Sequence, residues 1–394
     1  MTSQALDRPA DMTVPQLLIL LFGRLAFNTG FRIIYPLLPV LAAGLGVSLG
    51  VASLLVTVQV AATMLSPLGG ALSDARGERL TMTVGLVGFC AGALVCALTV
   101  SFPLFLVGYV LIGVGTALYM PAVQAYASAR SDYGQRGRVL GTLELSWALA
   151  ALVGVAGLTQ LIALRGSWAP AFWALLALGL LMLALTLTLP DAGGARRQRA
   201  EGAPAPRGVW RRPGILAALG LIFCQMLAAE LIFVVYASWL QGDFGASTDQ
   251  LGLIFGLLGF VELAGSIGAT LFTDRIGKRR AVVLGFLAVA VLQALLPLSG
   301  GSWALFLVLF LLFDLCFEFS IVSAFPLVSG LTEDGRGTVL ALVVAMSGLG
   351  RVVGSLLGPQ VFAAVGFAGN GLLAGAAALV GALVCLRFVR EGDH

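Results

Sequence analysis

The chain carries very little charge. Of its 394 residues only 11% are Asp, Glu, Lys or Arg, whereas a water-soluble domain carries about 25%. Hydrophobic residues make up 59%, and the mean hydropathy is +1.01. That balance excludes an ordinary soluble domain. Histidine occurs once, at His394, and lysine once, at Lys278. A histidine proton relay or a histidine-built zinc site has nothing to be made from. Cys90, Cys96, Cys224, Cys316 and Cys385 all fall inside apolar runs with no CxxC spacing, and they read as small buried hydrophobes rather than disulfide partners or ligands. There is no GxxxxGK[ST] phosphate loop, because Gly277-Lys278 is followed by arginine. No nucleotide, metal or other cofactor is expected. An intramembrane enzyme is the least supported class, since the apolar runs hold no nucleophile, metal-ligand set or histidine base.

What fills the sequence instead is runs of about 20 or more apolar residues, the length a helix needs to cross a bilayer. Twelve are found, near 15–43, 50–73, 80–101, 103–127, 137–163, 167–189, 214–241, 248–272, 281–299, 302–328, 337–365 and 367–388. The first is too long for a cleavable signal and reads as a spanning helix. Basic residues orient the chain, since cytoplasmic loops collect them. Arg76, Arg79, Arg130, Arg136, Arg138, Arg275, Lys278, Arg279, Arg280, Arg336, Arg387 and Arg390 gather on the N-terminal side. Arg165 alone stands in a loop on the other. The net charge of +4 is therefore no nucleic-acid signature. A multi-pass protein of the plasma (inner) membrane, with both termini cytoplasmic, is expected.

One segment breaks the apolar series. Residues 191–213, DAGGARRQRAEGAPAPRGVWRRP, lack apolar periodicity and read as a flexible cytoplasmic linker. They divide the chain into an N-terminal half, 1–190, and a C-terminal half, 214–394, with six runs each. The halves repeat one another. Arg136-Gly137 matches Arg336-Gly337, Val139-Leu140 matches Val339-Leu340, and Gly154 matches Gly354. The fold class that follows is all-α and polytopic, with two pseudo-symmetric six-helix bundles.

The sharpest repeat sits between the second and third runs, GALSDARGER, and between the eighth and ninth, TLFTDRIGKRR. Glycine permits a tight turn between spans. An aspartate at a helix end can accept from a neighbouring helix N-terminus, and arginines there bind headgroups or carboxylates. Gly70, Leu72, Asp74, Gly77 and Arg79 resemble the loop signature of the major facilitator superfamily, roughly G-x-x-x-D-R-x-G-R-K. The second copy keeps Asp274, Arg275, Gly277, Lys278 and Arg279 with Thr270 in place of the first glycine; the first copy has Ala75 and Glu78 at usually basic positions. The resemblance covers the whole chain. It implies a cytoplasmic latch that holds the halves together in an outward-open state; the plainer alternative is a loop that only anchors the chain inside. Two marks of the superfamily's proton-driven drug exporters are missing. Tyr109 stands where those carry an arginine before Gly113 and Gly115, and Gly154 and Gly157 lack the accompanying proline.

Ionisable groups inside a span cost a few kcal/mol or more unless they face a polar cavity or a partner. They are Arg24 and Arg32 in the first run, Glu144 in the fifth, Glu230 in the seventh, Glu262 in the eighth, Asp314 and Glu318 in the tenth and Arg351 in the eleventh. Apart from Arg387 at the end of the twelfth, none lies in the third, sixth, ninth or twelfth run, which the resemblance places outside the central pathway. Arg24, Asn28, Arg32 and Tyr35 form one stripe at helical spacing. Asp314 and Glu318, a turn apart, are the expected carriers of a coupling proton, with Glu262 or Glu230. The alternative is a static network in which Arg351 neutralises them. For Arg24 and Arg32 the expectation is recognition of an anionic group, or pairing with Glu230 or Glu144 across the pathway. Trp168, Trp239 and Trp303 read as membrane-interface anchors, and Pro36 and Pro359 as helix bends.

The functional expectation is a secondary transporter, monomeric and coupled to protons, moving a small amphipathic or organic-ion solute across the bilayer. Export is favoured. The alternatives are an organic-anion importer of the same fold and a non-transporting receptor or scaffold.

Overall fold

The computed structural model describes residues 12–131, 133–190, 213–331 and 336–389. The linker read at 191–213 lies, apart from Pro213, outside the described residues, as do Arg390 and His394 and the side chains of Arg136 and Arg336.

The spans are α1 (Val14–Arg32 and Ile34–Gly44), α2 (Leu49–Ala52, Leu54–Thr63 and Ser66–Arg76), α3 (Glu78–Leu98), α4 (Phe102–Ala129), α5 (Tyr133–Leu149, a π-helical turn Ala150–Val155, and Ala156–Arg165) and α6 (Ala169–Leu187). The second set is α7 (Pro213–Phe233 and Tyr236–Phe244), α8 (Thr248–Ile276), α9 (Lys278–Leu295), α10 (Trp303–Ser329), α11 (336–365) and α12 (367–388). Among the described residues ten helices are long and apolar enough to cross a bilayer, and the bent α2 makes an eleventh. The longest of them, Arg336–Phe388, turns at Gly366, whose φ of 69° suits glycine, and the turn yields the twelfth.

Local sequence explains where the spans start and break. Thr13 and Gln16 form a capping box at the head of α1, as Ser247 and Gln250 do at the head of α8. α1 breaks at Ile33 because Pro36 has no N–H for the Arg32 carbonyl and its ring crowds that oxygen. α7 breaks without proline. Val235 N donates to Ile232 O instead of Leu231 O, and the Leu231 carbonyl so released accepts from Asn370 Nδ2 of α12 at 2.8 Å. Both breaks fall about two-thirds of the way along their spans, with Arg32 and Glu230 close before them.

The outward surface is apolar. α3, α6, α9 and α12 expose Val87, Leu181, Leu284 and Leu383, which suits lipid contact. Lipid offers no hydrophobic drive for helices to associate, so backbones meet at small residues. A Cβ on Gly92 of α3 would lie 2.4 Å from the Gly108 carbonyl of α4, and one on Gly285 of α9 would lie 2.6 Å from Ser320 Cβ of α10. Trp239 differs from its sequence reading. It is only 4% exposed and stacks on Phe367 at 3.9 Å, with Phe306 and Phe244 edge-on. These rings come from three spans of the second bundle, α7, α10 and α12, so Trp239 anchors helices to one another rather than to the membrane interface.

The two bundles meet unevenly. Gly77 and Gly277 turn the chain at one end, the motif end; Gly46, Gly166, Gly245 and Gly366 turn it at the far end. Among the described residues, the hydrogen bonds that join the bundles run from mid-span to the far end. They link Arg32 to Glu262, Tyr35 to Glu230, Thr57 to Ser355 and Gln160 to the Asp249 carbonyl. In the motif-end half Glu144 and Asp74 are exposed. The cleft between the bundles opens toward the motif end.

Candidate functional site

The α1 stripe faces the cleft as its spacing predicts, and each member takes a different partner. Arg24 Nη2 donates to Glu144 Oε1 of α5 at 2.9 Å. Asn28 Nδ2 donates to Ser146 Oγ at 3.0 Å. Arg32 forks onto Glu262 of α8, Nη1 to Oε2 and Nη2 to Oε1, both at 2.7 Å. Past the break, Tyr35 O–H donates to Glu230 Oε2 of α7 at 3.2 Å. Because Arg32 ends the first segment of α1 and Tyr35 lies in the second, the two face different spans of the second bundle.

The Arg32 guanidinium is boxed. It lies 4.4 Å from the ring centre of Trp147 and 4.9 Å from that of Phe255, and Nη1 also approaches the Trp147 carbonyl at 3.4 Å. A planar ion between two aromatic faces and a two-point carboxylate partner is well compensated for losing water. The sequence reading missed Trp147, Ser146 and Phe255. The run Glu144-Leu145-Ser146-Trp147 was the available signal, since it sets a carboxylate, a hydroxyl and an indole close together inside an apolar run.

The acids of α10 are treated differently from each other. Glu318 accepts from Ser266 Oγ of α8 at 2.6 Å, and Gly265 makes room for it, since a Cβ there would lie 2.9 Å from Glu318 Cβ. Asp314 is fully buried, and neither carboxylate oxygen has a hydrogen-bond partner among the described residues. It lies within electrostatic reach of Glu262, Glu318 and Arg32. Glu230 keeps one oxygen, Oε1, without a partner, and Gly354 of α11 is pressed against its Cβ.

Two pairings read from sequence are not found. Arg351 has no ion pair among the described residues and stands 5.9 Å from the Phe31 ring, so the acids of α10 are not neutralised by a contact with it. Arg32 takes Glu262 rather than Glu230 or Glu144. Gln225 Nε2 donates to Ser320 Oγ at 2.6 Å and ties α7 to α10.

The loop-motif residues lie away from this cluster, at the motif end. Gly77 and Gly277 link consecutive spans at φ of 99° and 91°, a region closed to most side chains. Gly70 has open space where a Cβ would go, whereas its neighbour Gly69 is packed against the Ala117 carbonyl. Asp74, Asp274 and Arg275 are exposed, and Arg79 and Lys278 are half-buried. Arg279 donates to the Leu386 carbonyl at the end of α12. Leu386, which Arg279 meets, belongs to the same bundle.

The family model described as Major Facilitator Superfamily matches residues 20–227 and again 218–394. The chain belongs to the major facilitator superfamily. Members of this superfamily are membrane transporters and not enzymes, and they bind small-molecule substrates. Among its relatives in the superfamily is an uncharacterized MFS-type transporter, YwfA, of Bacillus subtilis, 27% identical with 92% of this chain and 89% of the relative covered. Another is the class C tetracycline resistance protein of Escherichia coli, 27% identical over 95% and 96%. In structure the chain resembles the inward-open xylose transporter XylE of E. coli, with a TM-score of 0.80 at 18% identity, covering 96% of each chain. That likeness speaks for the twelve-span superfamily fold.

Proposed function

We propose that this superfamily member is a proton-coupled secondary transporter that exports a small amphipathic organic ion by alternating access. The observation that carries the reading is the Arg32–Glu262 bridge at mid-span with Asp314 buried beside it and unbonded. An ion pair linking the two bundles has to be remade as they rock, and a neighbouring carboxyl that gains and loses a proton supplies a competing partner for Arg32. In this reading Glu318 and Glu230 face the solute, Arg24 and Glu144 line the mouth, and Gly77, Asp74 and Arg79 close the motif end in the opposite state. Arg275, Gly277, Lys278, Arg279 and Asp274 are its second-copy counterparts. The motif end is cytoplasmic, in a plasma (inner) membrane, with the protein a monomer of two halves divided by the 191–213 linker.

Export draws support from relatives named as resistance proteins, for tetracycline and for fosmidomycin. The organic-anion importer retains one supporting observation, the Arg351 guanidinium without an ion pair among the described residues. Arg24 and Arg32, which first suggested it, are both engaged by carboxylates. A receptor or scaffold would leave the mid-span charges dispensable.

The experiment is a thermal-shift screen of cationic and anionic amphipaths on the purified protein. Each hit is then tested for solute-dependent proton flux in proteoliposomes. A hit that moves without protons sinks the coupling, and an anion taken up in preference to any cation sinks the export reading.

A further inference from the structure

The second loop copy differs from the first in a way that transport does not require. At corresponding places the first reads Glu78-Arg79-Leu80 and the second Lys278-Arg279-Arg280. Glu78 is buried, whereas Arg280 is exposed. Three basic residues thus open α9 where α3 opens on a neutral set.

A cavity of about 220 Å³ lies at this place, between the start of α9 and the end of α12, lined by Arg279, Arg280, Val283, Leu284 and Leu386. Arg279 is used by the fold, since it donates to the Leu386 carbonyl and so tethers the last turn of α12. Arg280, which is exposed, lines the same cavity. Below the rim the surface is apolar and faces lipid, with Leu284 59%, Leu386 45% and Phe388 55% exposed. A groove with a cationic lip and an apolar, lipid-facing floor, at the level where a span meets the headgroups, matches one chemistry. That chemistry is an anion carried on hydrocarbon chains.

We propose that the α9–α12 groove at the motif end binds an anionic glycerophospholipid, its phosphate on Arg280 and its acyl chains along Leu284, Leu386 and Phe388. A free phosphate would gain nothing from that floor, and a zwitterionic lipid would bring its own cation against the basic rim. The duplicated motif has in this account diverged, the first copy serving the bundles and the second the bilayer. The site does not depend on which solute is carried or on proton coupling.

Native mass spectrometry of the full chain in mild detergent, offered equal amounts of dioleoyl phosphatidylglycerol and dioleoyl phosphatidylcholine, tests this directly. The phosphatidylglycerol adduct is expected to survive activation in preference to the phosphatidylcholine adduct. Arg280→Gln is expected to lower its retention about fivefold, the weight of one basic residue at a membrane surface, and Leu284→Gln to lower it while leaving the charge intact. Arg76→Gln, in the first copy, is expected to change nothing. Equal retention of the two lipids, insensitivity to Arg280→Gln, or displacement of the lipid by millimolar inorganic phosphate would each overturn the proposal. The lipid competition on the unaltered protein decides the matter even if a variant fails to fold.

Discussion

Arg32 of α1 and Glu262 of α8 meet across the two bundles at two points, each nitrogen 2.7 Å from its oxygen. Both side chains are nearly sealed from solvent, at 4% and 9% exposure. From this pair to the far end hydrogen bonds join the bundles, Tyr35 to Glu230, Thr57 to Ser355 and Gln160 to the Asp249 carbonyl. The pair therefore marks the level at which the pathway is closed in this conformation.

Removing one partner should leave the other buried and unpaired. Glu262→Gln is expected to destabilise the protein by about 3 kcal/mol, seen as a lower melting temperature in detergent. The double variant Arg32→Met with Glu262→Leu should recover most of that loss and still fail to transport. An unchanged melting temperature in Glu262→Gln would mean that the bridge does not hold the bundles.

Asp314 is the group to test for coupling. With no hydrogen-bond partner for either oxygen, it gains little from carrying a charge in the fold, so Asp314→Asn should fold at least as stably as the parent. Accumulation driven by a pH gradient is expected to vanish while solute counterflow at equal pH persists. Loss of both activities together would assign Asp314 to solute binding instead.

The closed far end can be locked. Thr57 Oγ1 of α2 and Ser355 Oγ of α11 lie 2.8 Å apart, within the reach of a disulfide. Thr57→Cys with Ser355→Cys should cross-link under oxidation, abolish transport and regain it on reduction. A cross-linked protein that still transports would show that the far end does not need to open.

Gly154 and Gly157, one pair in the sequence, should separate in experiment. A Cβ on Gly154 would lie 2.1 Å from Thr29 Oγ1 of α1, whereas Gly157 has nothing within 4 Å. Gly154→Ala is expected to cost about 1–3 kcal/mol, and Gly157→Ala to be neutral or to raise the melting temperature slightly, since alanine is the better helix former. Equal effects would place the α1–α5 contact elsewhere.

Much of the architecture was written in composition and spacing. Runs the length of a bilayer, the Gly77 and Gly277 turns and the absence of charge from the middle of the third, sixth, ninth and twelfth runs pointed to twelve spans in two like halves, because lipid admits only helices whose backbones bond internally. The stripe from Arg24 to Tyr35 was legible for the same reason, since helical periodicity is a property of one segment. Partnership was not. That Arg32 binds Glu262 and leaves Asp314 bare, that Trp239 stacks on Phe367 instead of meeting the membrane interface, and that Asn370 closes the break in α7 all depend on which spans lie side by side and where α1 and α7 break. Sequence placed ionisable groups at mid-membrane and so required partners for them. The tertiary arrangement alone decided which partners, because a side chain's choice is set by the few groups within about 3 Å of it, and these come from spans far apart along the chain.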